Sequence, residues 1–196
     1  PNIPNPWIVD KYKKNEKISN RIIYVGDVSS QNNFKSIFDS IYELKKKYKN
    51  LHLMIIGSGN KEKELRDYSK KKKYDFIEFK GNLNHEDTLK EISLSEIGIA
   101  LYNGNMNYDD FRDSCKIREY QALGTIPLTT NIVRSNVDEI NKFKSGIIIK
   151  NSSEEIQKAI KSIVSNNKLK NELIKNCLKN NEIYKNKFME FYQLIR

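Results

Sequence analysis

Short apolar runs alternate with amphipathic stretches along most of the chain. Six runs have the composition of buried strands, and they span residues 21–26, 51–56, 76–79, 97–101, 126–128 and 146–149. Between these runs apolar residues recur at helical spacing, as they do at Phe34, Ile37, Phe38, Ile41 and Leu44. This alternation predicts an α/β fold: a doubly wound, Rossmann-like parallel sheet of about six strands with C-terminal helices.

The two ends of the chain differ from this alternating middle. The segment Pro1-Asn2-Ile3-Pro4-Asn5-Pro6-Trp7 can form neither a helix nor a central strand, so residues 1–18 are predicted to be an interdomain linker, with an ordinary extended N-terminus as the alternative. Residues 19–166 are predicted to form the Rossmann-like domain, which ends in a helix that Ser152 or Ser153 caps. Residues 167–196 are predicted to be a helical extension with an apolar stripe of Phe188, Phe191, Leu194 and Ile195.

In residues 113–128 a helix start, a helix stop and an apolar strand follow one another directly. Asp113 or Ser114 can accept hydrogen bonds from the N–H groups of the first helical turn. Gly124 can adopt the left-handed conformation that ends a helix, and Pro127 lies in the strand that follows. We therefore expect a helix of about two and a half turns.

The N-terminal end of this helix suits a phosphate group. A helix N-terminus presents unpaired N–H donors and partial positive charge, and Lys116 adds a full charge in the first turn. Glu119 lies one turn further along the same face and can accept hydrogen bonds from a sugar diol. Ligands of such sheets bind beyond the carboxyl ends of the strands, where the loops should meet this helix end. The sequence thus predicts a nucleotide pocket, with the diphosphate at the helix end and the ribose on Glu119.

Residues 116–127 read Lys-Ile-Arg-Glu-Tyr-Gln-Ala-Leu-Gly-Thr-Ile-Pro. They resemble the Lys-x-x-Glu-Tyr-x-Ala-x-Gly-x-Pro signature of the group 1 (family 4, retaining) glycosyltransferases of the two-Rossmann-domain (GT-B) type, with the proline one residue late. The resemblance implies the C-terminal, donor-binding half of an enzyme that transfers a sugar from a nucleoside diphosphate sugar to a polysaccharide or lipid-linked acceptor. It also implies an N-terminal acceptor domain as partner and no cofactor beyond the donor substrate.

The resemblance assigns roles to several residues. Glu119 would hold the ribose, Ser114 and Cys115 at the helix start would hold the diphosphate, and Lys116 would be the catalytic cation beside the leaving group. The other predicted nucleotide-sugar-binding residues lie in loops at the same edge of the sheet, and they are Gly26, Asp27, Lys80 and Asn82.

The sequence departs from the family pattern in the loop after the first strand. The arginine and the lysine that the family usually has there are replaced by Asp27 and Asn32. A leaving nucleoside diphosphate needs its developing charge stabilised, so the loss of a cation could reduce the rate on the order of 10²–10³-fold. Lys35, Lys80 or Lys116 could compensate.

The family's first glutamate is also missing, because Phe111 occupies its position. Asp110 or Asp113 could take its place, or the sugar could be held differently. The pair Asp109-Asp110 resembles part of a metal-binding Asp-x-Asp, but its spacing is wrong, and we predict no metal site.

The composition is basic, with a formal net charge of +10 and lysine runs at residues 45–47 and 70–73. Both runs fall at the ends of predicted helices, where cations favour the helix dipole, so we expect no nucleic acid as partner. A basic surface could instead rest on an anionic membrane. No apolar run approaches the roughly 18 residues of a membrane span and no signal peptide opens the chain, so any membrane contact is expected to be peripheral.

The reactive side chains do not form a recognisable catalytic group. Cys115 and Cys177 lie in separate helical segments without metal-ligand spacing, which favours a reduced, cytoplasmic protein. Any peripheral membrane contact would then be at the inner face of the membrane. His85 precedes a helix and could either approach the donor or be an ordinary surface residue.

The alternative is a non-catalytic doubly wound binding or regulatory module. A receiver domain should have acidic residues at the ends of the first and third strands, and Gly26-Asp27 and Phe79-Lys80 do not fit. The turn at residues 57–59 has a Gly-x-Gly pattern but lacks the third glycine of a dinucleotide site, so it is predicted to be a tight strand-to-helix turn.

Overall fold

The computed structural model describes residues 10–12, 15–29, 33–104 and 114–194, although within the last helix it leaves out the side chains of 184, 187–189 and 191–194. The predicted linker segment at residues 1–7 and the apolar stripe of the tail therefore lie outside the described residues. The division of the chain after residues 18 and 166 stays a prediction.

Six parallel strands form one sheet. They are β1 (Arg21–Val25), β2 (His52–Ile56), β3 (Ile77–Gly81), β4 (Ile97–Ala100), β5 (Ile126–Thr130) and β6 (Ile147–Ile149). Their order in the sheet is β3-β2-β1-β4-β5-β6, and each neighbouring pair is parallel. The order reverses between β1 and β4, as it does in a doubly wound sheet. The predicted fold class is confirmed.

Helices connect the strands and cover both faces of the sheet. They are α1 (Phe34–Lys45), α2 (Glu62–Lys71), α3 (His85–Ser93), α4 (Cys115–Ala122), α5 (Arg134–Phe143), α6 (Ser153–Ser165) and α7 (Asn167–Leu194). Ser152 caps α6 by accepting a hydrogen bond from the Glu155 N–H at 3.3 Å, as expected. Among the described residues, no helix combines the length and the apolar composition needed to cross a bilayer.

Successive residues of the central strands enter two different cores. Ile22 and Tyr24 of β1 pack in one core with helices α1, α2 and α6, whereas Ile23 packs in the other with helices α3, α4 and α5. Because both faces are buried, β1 reads as a continuous apolar run rather than as an alternating one. The predicted inward face of α1, from Phe34 to Leu44, is buried as expected.

Two strands extend further than the sequence suggested. Strand β5 continues through Thr129 and Thr130, whose buried hydroxyls donate to the carbonyl oxygens of Ala100 and Tyr102 at 2.8 and 3.1 Å. Polar side chains can therefore lie in the core, because their hydrogen bonds are satisfied there. Strand β3 includes Lys80, and the prediction that Lys80 belongs to the loop beyond this strand was wrong.

Helix α4 is fixed at its C-terminal end by backbone hydrogen bonds. Gly124 has a φ of +66°, its N–H donates to Gln121, and the Thr125 N–H donates to the Tyr120 carbonyl at 2.8 Å. This pair of bonds is the Schellman motif, which satisfies carbonyls that a helix end leaves unpaired. The predicted helix stop at Gly124 is confirmed.

Lys17 is buried at the same end of α4. Its Nζ donates to the carbonyl oxygen of Leu123 at 2.8 Å and to the hydroxyl of Thr125 at 3.0 Å. Burial lowers the pKa of Lys17 from 10.5 to about 7, although the neighbouring Cys177 and Glu96 act to raise it. The folded protein therefore releases a proton from Lys17 at a pH where the unfolded chain still binds it.

The free energy of unfolding is expected to rise between pH 7 and pH 9, because in this window the unfolded chain binds more protons at Lys17. The expected rise is about 1–3 kcal/mol, and urea unfolding at the two pH values measures it. Above pH 9 the buried Cys177 acts in the opposite direction, because burial raises its pKa to about 12. Lys17→Met should abolish most of the rise, whereas Lys168→Met at an exposed position should keep it. An equal rise in Lys17→Met would contradict the assignment.

Candidate functional site

The loops after β1 and β2 pack against each other at the carboxyl edge of the sheet. The Gly26 N–H donates to Ile56 at 2.9 Å, and the Val28 N–H donates to Ser58 at 3.0 Å. A Cβ on Gly57, whose φ is +125°, would lie 2.0 Å from the carbonyl oxygen of Gly26. Only a backbone without a side chain can come this close. The turn after β2 is thus a tight strand-to-helix connection, as predicted.

The N-terminal end of α4 is arranged differently from the prediction. Ser114 is the N-cap residue, but its side chain makes no capping hydrogen bond. Its Oγ lies 2.8 Å from the Tyr102 hydroxyl, and its N–H donates to the side chain of Asn136. Of the two predicted capping residues, Ser114 does not cap the helix, because its oxygen is bound to the buried Tyr102 hydroxyl, and Asp113 lies outside the described residues. The Ile117 N–H of the first turn donates to the Ser114 carbonyl at 3.1 Å.

The ammonium group of Lys116 lies beside Gly26. Its Nζ is 4.7 Å from the ring centroid of Tyr24 and 5.8 Å from that of Tyr102. A Cβ on Gly26, whose φ is +131°, would lie 2.7 Å from this Nζ. The structure therefore brings together Lys116 and Gly26, which the sequence predicted as parts of one site. The Cys115 side chain is exposed at the same helix end.

A cleft of about 260 Å³ opens next to Gly26. Its lining residues come from the ends of β1 and β2 and from the β3–α3 region, and they are Val25, Gly26, Asp27, Ile56, Gly57, Ser58, Asn82, Leu83 and Thr88. The predicted residues Gly26, Asp27 and Asn82 thus line one cleft. Sequence reasoning missed Ser58 and Thr88. Ser58 lies in the turn after β2, for which the sequence predicts no ligand. The Thr88 hydroxyl donates to the Asn84 carbonyl, as that of an ordinary helix residue would, so neither residue has a sequence signal of a site.

Lys80 is not among the residues that line this cleft. It lies on the edge strand β3, and its Nζ forms an ion pair with Glu78 at 2.6 Å. This hydrogen bond raises the pKa of Lys80. Glu78 also contacts His52 of the neighbouring strand at 3.3 Å, so the three side chains form a surface cluster on the outer part of the sheet.

Glu119 is contacted by His85. The Nε2 atom of His85, the first residue of α3, lies 2.8 Å from Oε1 of Glu119. The Glu119 side chain is only 16% exposed, whereas that of His85 is 59% exposed. The carboxylate is thus partly enclosed, one turn along α4 from Lys116.

Tyr120 positions α4 relative to the sheet. Its hydroxyl accepts a hydrogen bond from the Val25 N–H at 3.1 Å and donates to the Ile99 carbonyl at 3.3 Å. The ring crosses β4 at Gly98, where a Cβ would lie 2.3 Å from the ring. Complete burial raises the pKa of Tyr120 well above its ordinary value, so the hydroxyl keeps its proton.

The sequence made predictions for several residues of the loop before α4 and for Asn32. Asp109, Asp110, Phe111 and Asp113, and also Asn32, lie outside the described residues. Within the part of the chain that the structure describes, no group of three His, Cys, Asp or Glu side chains could hold a metal ion. In the described geometry, the helix end and the Lys116 ammonium can bind an anion. The Glu119 carboxylate can accept a hydrogen bond from a hydroxyl group.

A protein-family model described as glycosyl transferases group 1 matches residues 8–180. No curated protein sequence matches the chain.

Solved structures with similar folds have low sequence identity to this chain. The pneumococcal O-GlcNAc transferase GtfA, in complex with UDP and GlcNAc, matches with a TM-score of 0.75 and 15% identity over 93% of this chain and 36% of that chain. WaaG, a glycosyltransferase involved in lipopolysaccharide biosynthesis, matches with a TM-score of 0.70 and 16% identity over 92% of this chain and 47% of that chain. The C-terminal domain of a glycosyl transferase group 1 family protein (LpcC) from Francisella tularensis matches with a TM-score of 0.68 and 15% identity over 90% of both chains.

These similarities concern the fold. The chain spans about a third of GtfA and about half of WaaG, but most of the C-terminal domain of the Francisella protein. Its architecture is therefore that of one domain of such proteins.

Proposed function

The chain belongs to the group 1 glycosyl transferases, and we propose that it binds the donor in a retaining enzyme that transfers a sugar from a nucleoside diphosphate sugar to a polysaccharide or lipid-linked acceptor. The observation that carries this proposal is the position of the Lys116 ammonium, beside Gly26 and at the N-terminal end of α4. Family membership argues against the non-catalytic alternative. The similar fold of GtfA, whose structure holds UDP, supports a nucleoside diphosphate as the ligand.

The geometry supports a binding mode for the donor. The diphosphate would lie at the end of α4, where N–H groups and the Lys116 ammonium provide positive charge. The ribose would lie on Glu119, one turn along the helix, and the cleft beside Gly26 and Asn82 would receive the adjoining part of the nucleotide. Lys116 would act in catalysis by stabilising the negative charge that develops on the leaving diphosphate.

This role for Lys116 is consistent with the replaced cations in the loop after β1. Asp27 stands where the family usually has an arginine, and Lys80 is paired with Glu78 on the edge strand. Lys116 is the lysine whose ammonium lies beside Gly26, so we propose that it provides the compensating charge.

Lys116→Met should weaken the binding of UDP by about 1–3 kcal/mol, because a charge-assisted contact to the diphosphate is lost. The affinity for uridine, which has no phosphate, should change little, and the difference should shrink at high salt. Isothermal titration calorimetry with both ligands measures this. Lys90→Met, at an exposed position near the end of α3, is the control and should bind both ligands normally. Equal losses for UDP and uridine would argue against the diphosphate assignment.

Transfer is proposed to require a second domain that carries the acceptor. In the described part of the chain, the carboxyl edge of the sheet forms an open cleft, whereas group transfer needs a site that excludes water. The chain also spans only about a third of GtfA.

The chain of 196 residues should therefore bind a nucleotide sugar without transferring the sugar. Incubation with UDP-GlcNAc and with other nucleotide sugars, together with a simple sugar acceptor, tests this when transfer and donor hydrolysis are followed. The Lys116→Met variant provides the background rate. Turnover by the unmodified chain well above this background would show that these residues contain a complete active site.

We further propose a peripheral contact with an anionic membrane. Helices α1 and α2 end within the lysine runs, and the lysines at 46, 47 and 70–73 are exposed. Exposed lysines of this kind attract anionic lipid head groups with about 1 kcal/mol each near the surface. A cytoplasmic location also stays a prediction, supported by two cysteines that form no disulfide.

The triple replacement of Lys47, Lys71 and Lys72 by Gln should reduce binding to phosphatidylserine-containing vesicles at least about tenfold in a sedimentation assay. Replacing the exposed lysines at 168, 175 and 179 of α7 by Gln changes the net charge equally and is the matched control. Equal losses in the two variants would mean that only the total charge matters. No binding by the unmodified chain would overturn the membrane contact.

A further inference from the structure

The contact between His85 and Glu119 joins two parts of the candidate site. Glu119 lies on α4, whereas His85 begins α3, directly after the segment in which Asn82 and Leu83 line the cleft. Asn84 fixes the start of α3, because its side chain accepts a hydrogen bond from the Asp87 N–H at 2.8 Å. His85 is therefore held at a defined position at the helix start, although its side chain is exposed.

We propose that His85 is a positioning residue for the ribose: it orients the Glu119 carboxylate so that the site prefers nucleotides with a 2′,3′-diol. This inference rests on the proposed function, because it assumes that Glu119 binds the ribose.

The chemistry of the two side chains explains how the preference would arise. A carboxylate only accepts hydrogen bonds, so the Nε2 atom of His85 must carry the hydrogen in this contact. The bond engages Oε1 of Glu119 and restricts the rotation of the carboxylate group. The second oxygen, Oε2, then points in a defined direction and can accept from a ribose hydroxyl. Without His85 the carboxylate would rotate more freely. Part of the free energy of ribose binding would then be spent on ordering the carboxylate.

Burial of Glu119 strengthens the hydrogen bonds that its carboxylate forms. The Glu119 side chain is largely enclosed, with 16% of its surface exposed, so a hydrogen bond to it is less weakened by water than one on an open surface. His52 and Glu78 form a similar pair on the outer part of the sheet, but there the Glu78 side chain is 40% exposed and the two residues lie on β2 and β3 rather than at α4. His52 therefore provides a matched control.

The experiment compares the affinities of a nucleoside diphosphate and its 2′,3′-dideoxy counterpart. UDP, GDP and ADP are titrated first, and the tightest of them is used with its dideoxy form. The unmodified chain should prefer the ribonucleotide on the order of 10- to 100-fold. His85→Ala should reduce this preference about 3- to 10-fold, mainly through weaker binding of the ribonucleotide. His85→Gln, whose amide N–H₂ can replace Nε2, should restore most of it, and His52→Ala should leave it unchanged.

A double-mutant cycle shows whether His85 acts through Glu119. In a Glu119→Ala background the preference should already be lost, and His85→Ala should then change it no further. Thermal unfolding of each variant separates this effect from a loss of folding. If the unmodified chain binds none of the three diphosphates, the proposed function is wrong and the inference fails with it. If the unmodified chain shows the preference and His85→Ala keeps it, only the inference is overturned.

Discussion

The Tyr120 side chain is the contact on which the candidate site depends, because it fixes α4 to the strand that leads to Gly26. Its hydroxyl bridges the Val25 N–H of β1 and the Ile99 carbonyl of β4. The ring fits only because Gly98 has no side chain at the crossing point. Glycine within a strand costs about 0.5–1 kcal/mol relative to alanine. Gly98 thus lowers the local stability of strand β4. Its missing side chain allows Tyr120 to hold the N-terminal end of α4 against the edge of the sheet.

The same helix is also held by groups that take no part in the proposed binding. Lys17 donates to the carbonyl oxygen of Leu123 at the C-terminal end. On the side of the helix, buried Arg118 forms an ion pair with Glu139, which also accepts a hydrogen bond from Asn180 of α7. Loss of one partner would leave a buried charge unpaired, which costs far more than the pair contributes. The end that carries Lys116 is therefore positioned by contacts remote from the ligand.

The sequence predicted the fold because apolar periodicity and the glycine at the end of α4 are local signals. It did not predict several side-chain contacts, because each side chain binds the partner that the fold places next to it. Ser114 is a good N-cap by residue type, yet Tyr102 binds its hydroxyl oxygen. Lys80 belongs to strand β3 rather than to the expected loop, and there it pairs with Glu78, so its predicted role as a donor ligand stays a prediction. The contact of His85 with Glu119 joins residues 34 positions apart, and no spacing rule connects them.

Net charge is a poor guide to the site, and helix polarity explains why. The lysine runs follow the C-terminal ends of α1 and α2, where they stabilise the helix dipoles. In a parallel α/β sheet the helices run antiparallel to the strands, so these ends lie away from the carboxyl edge where ligands bind. At that edge the useful cation is Lys116, whose ammonium is already placed over the ring of Tyr24. A free lysine loses up to about 2 kcal/mol of side-chain entropy when it is ordered. Because Lys116 is ordered before a ligand arrives, more of its attraction to a diphosphate remains as binding energy.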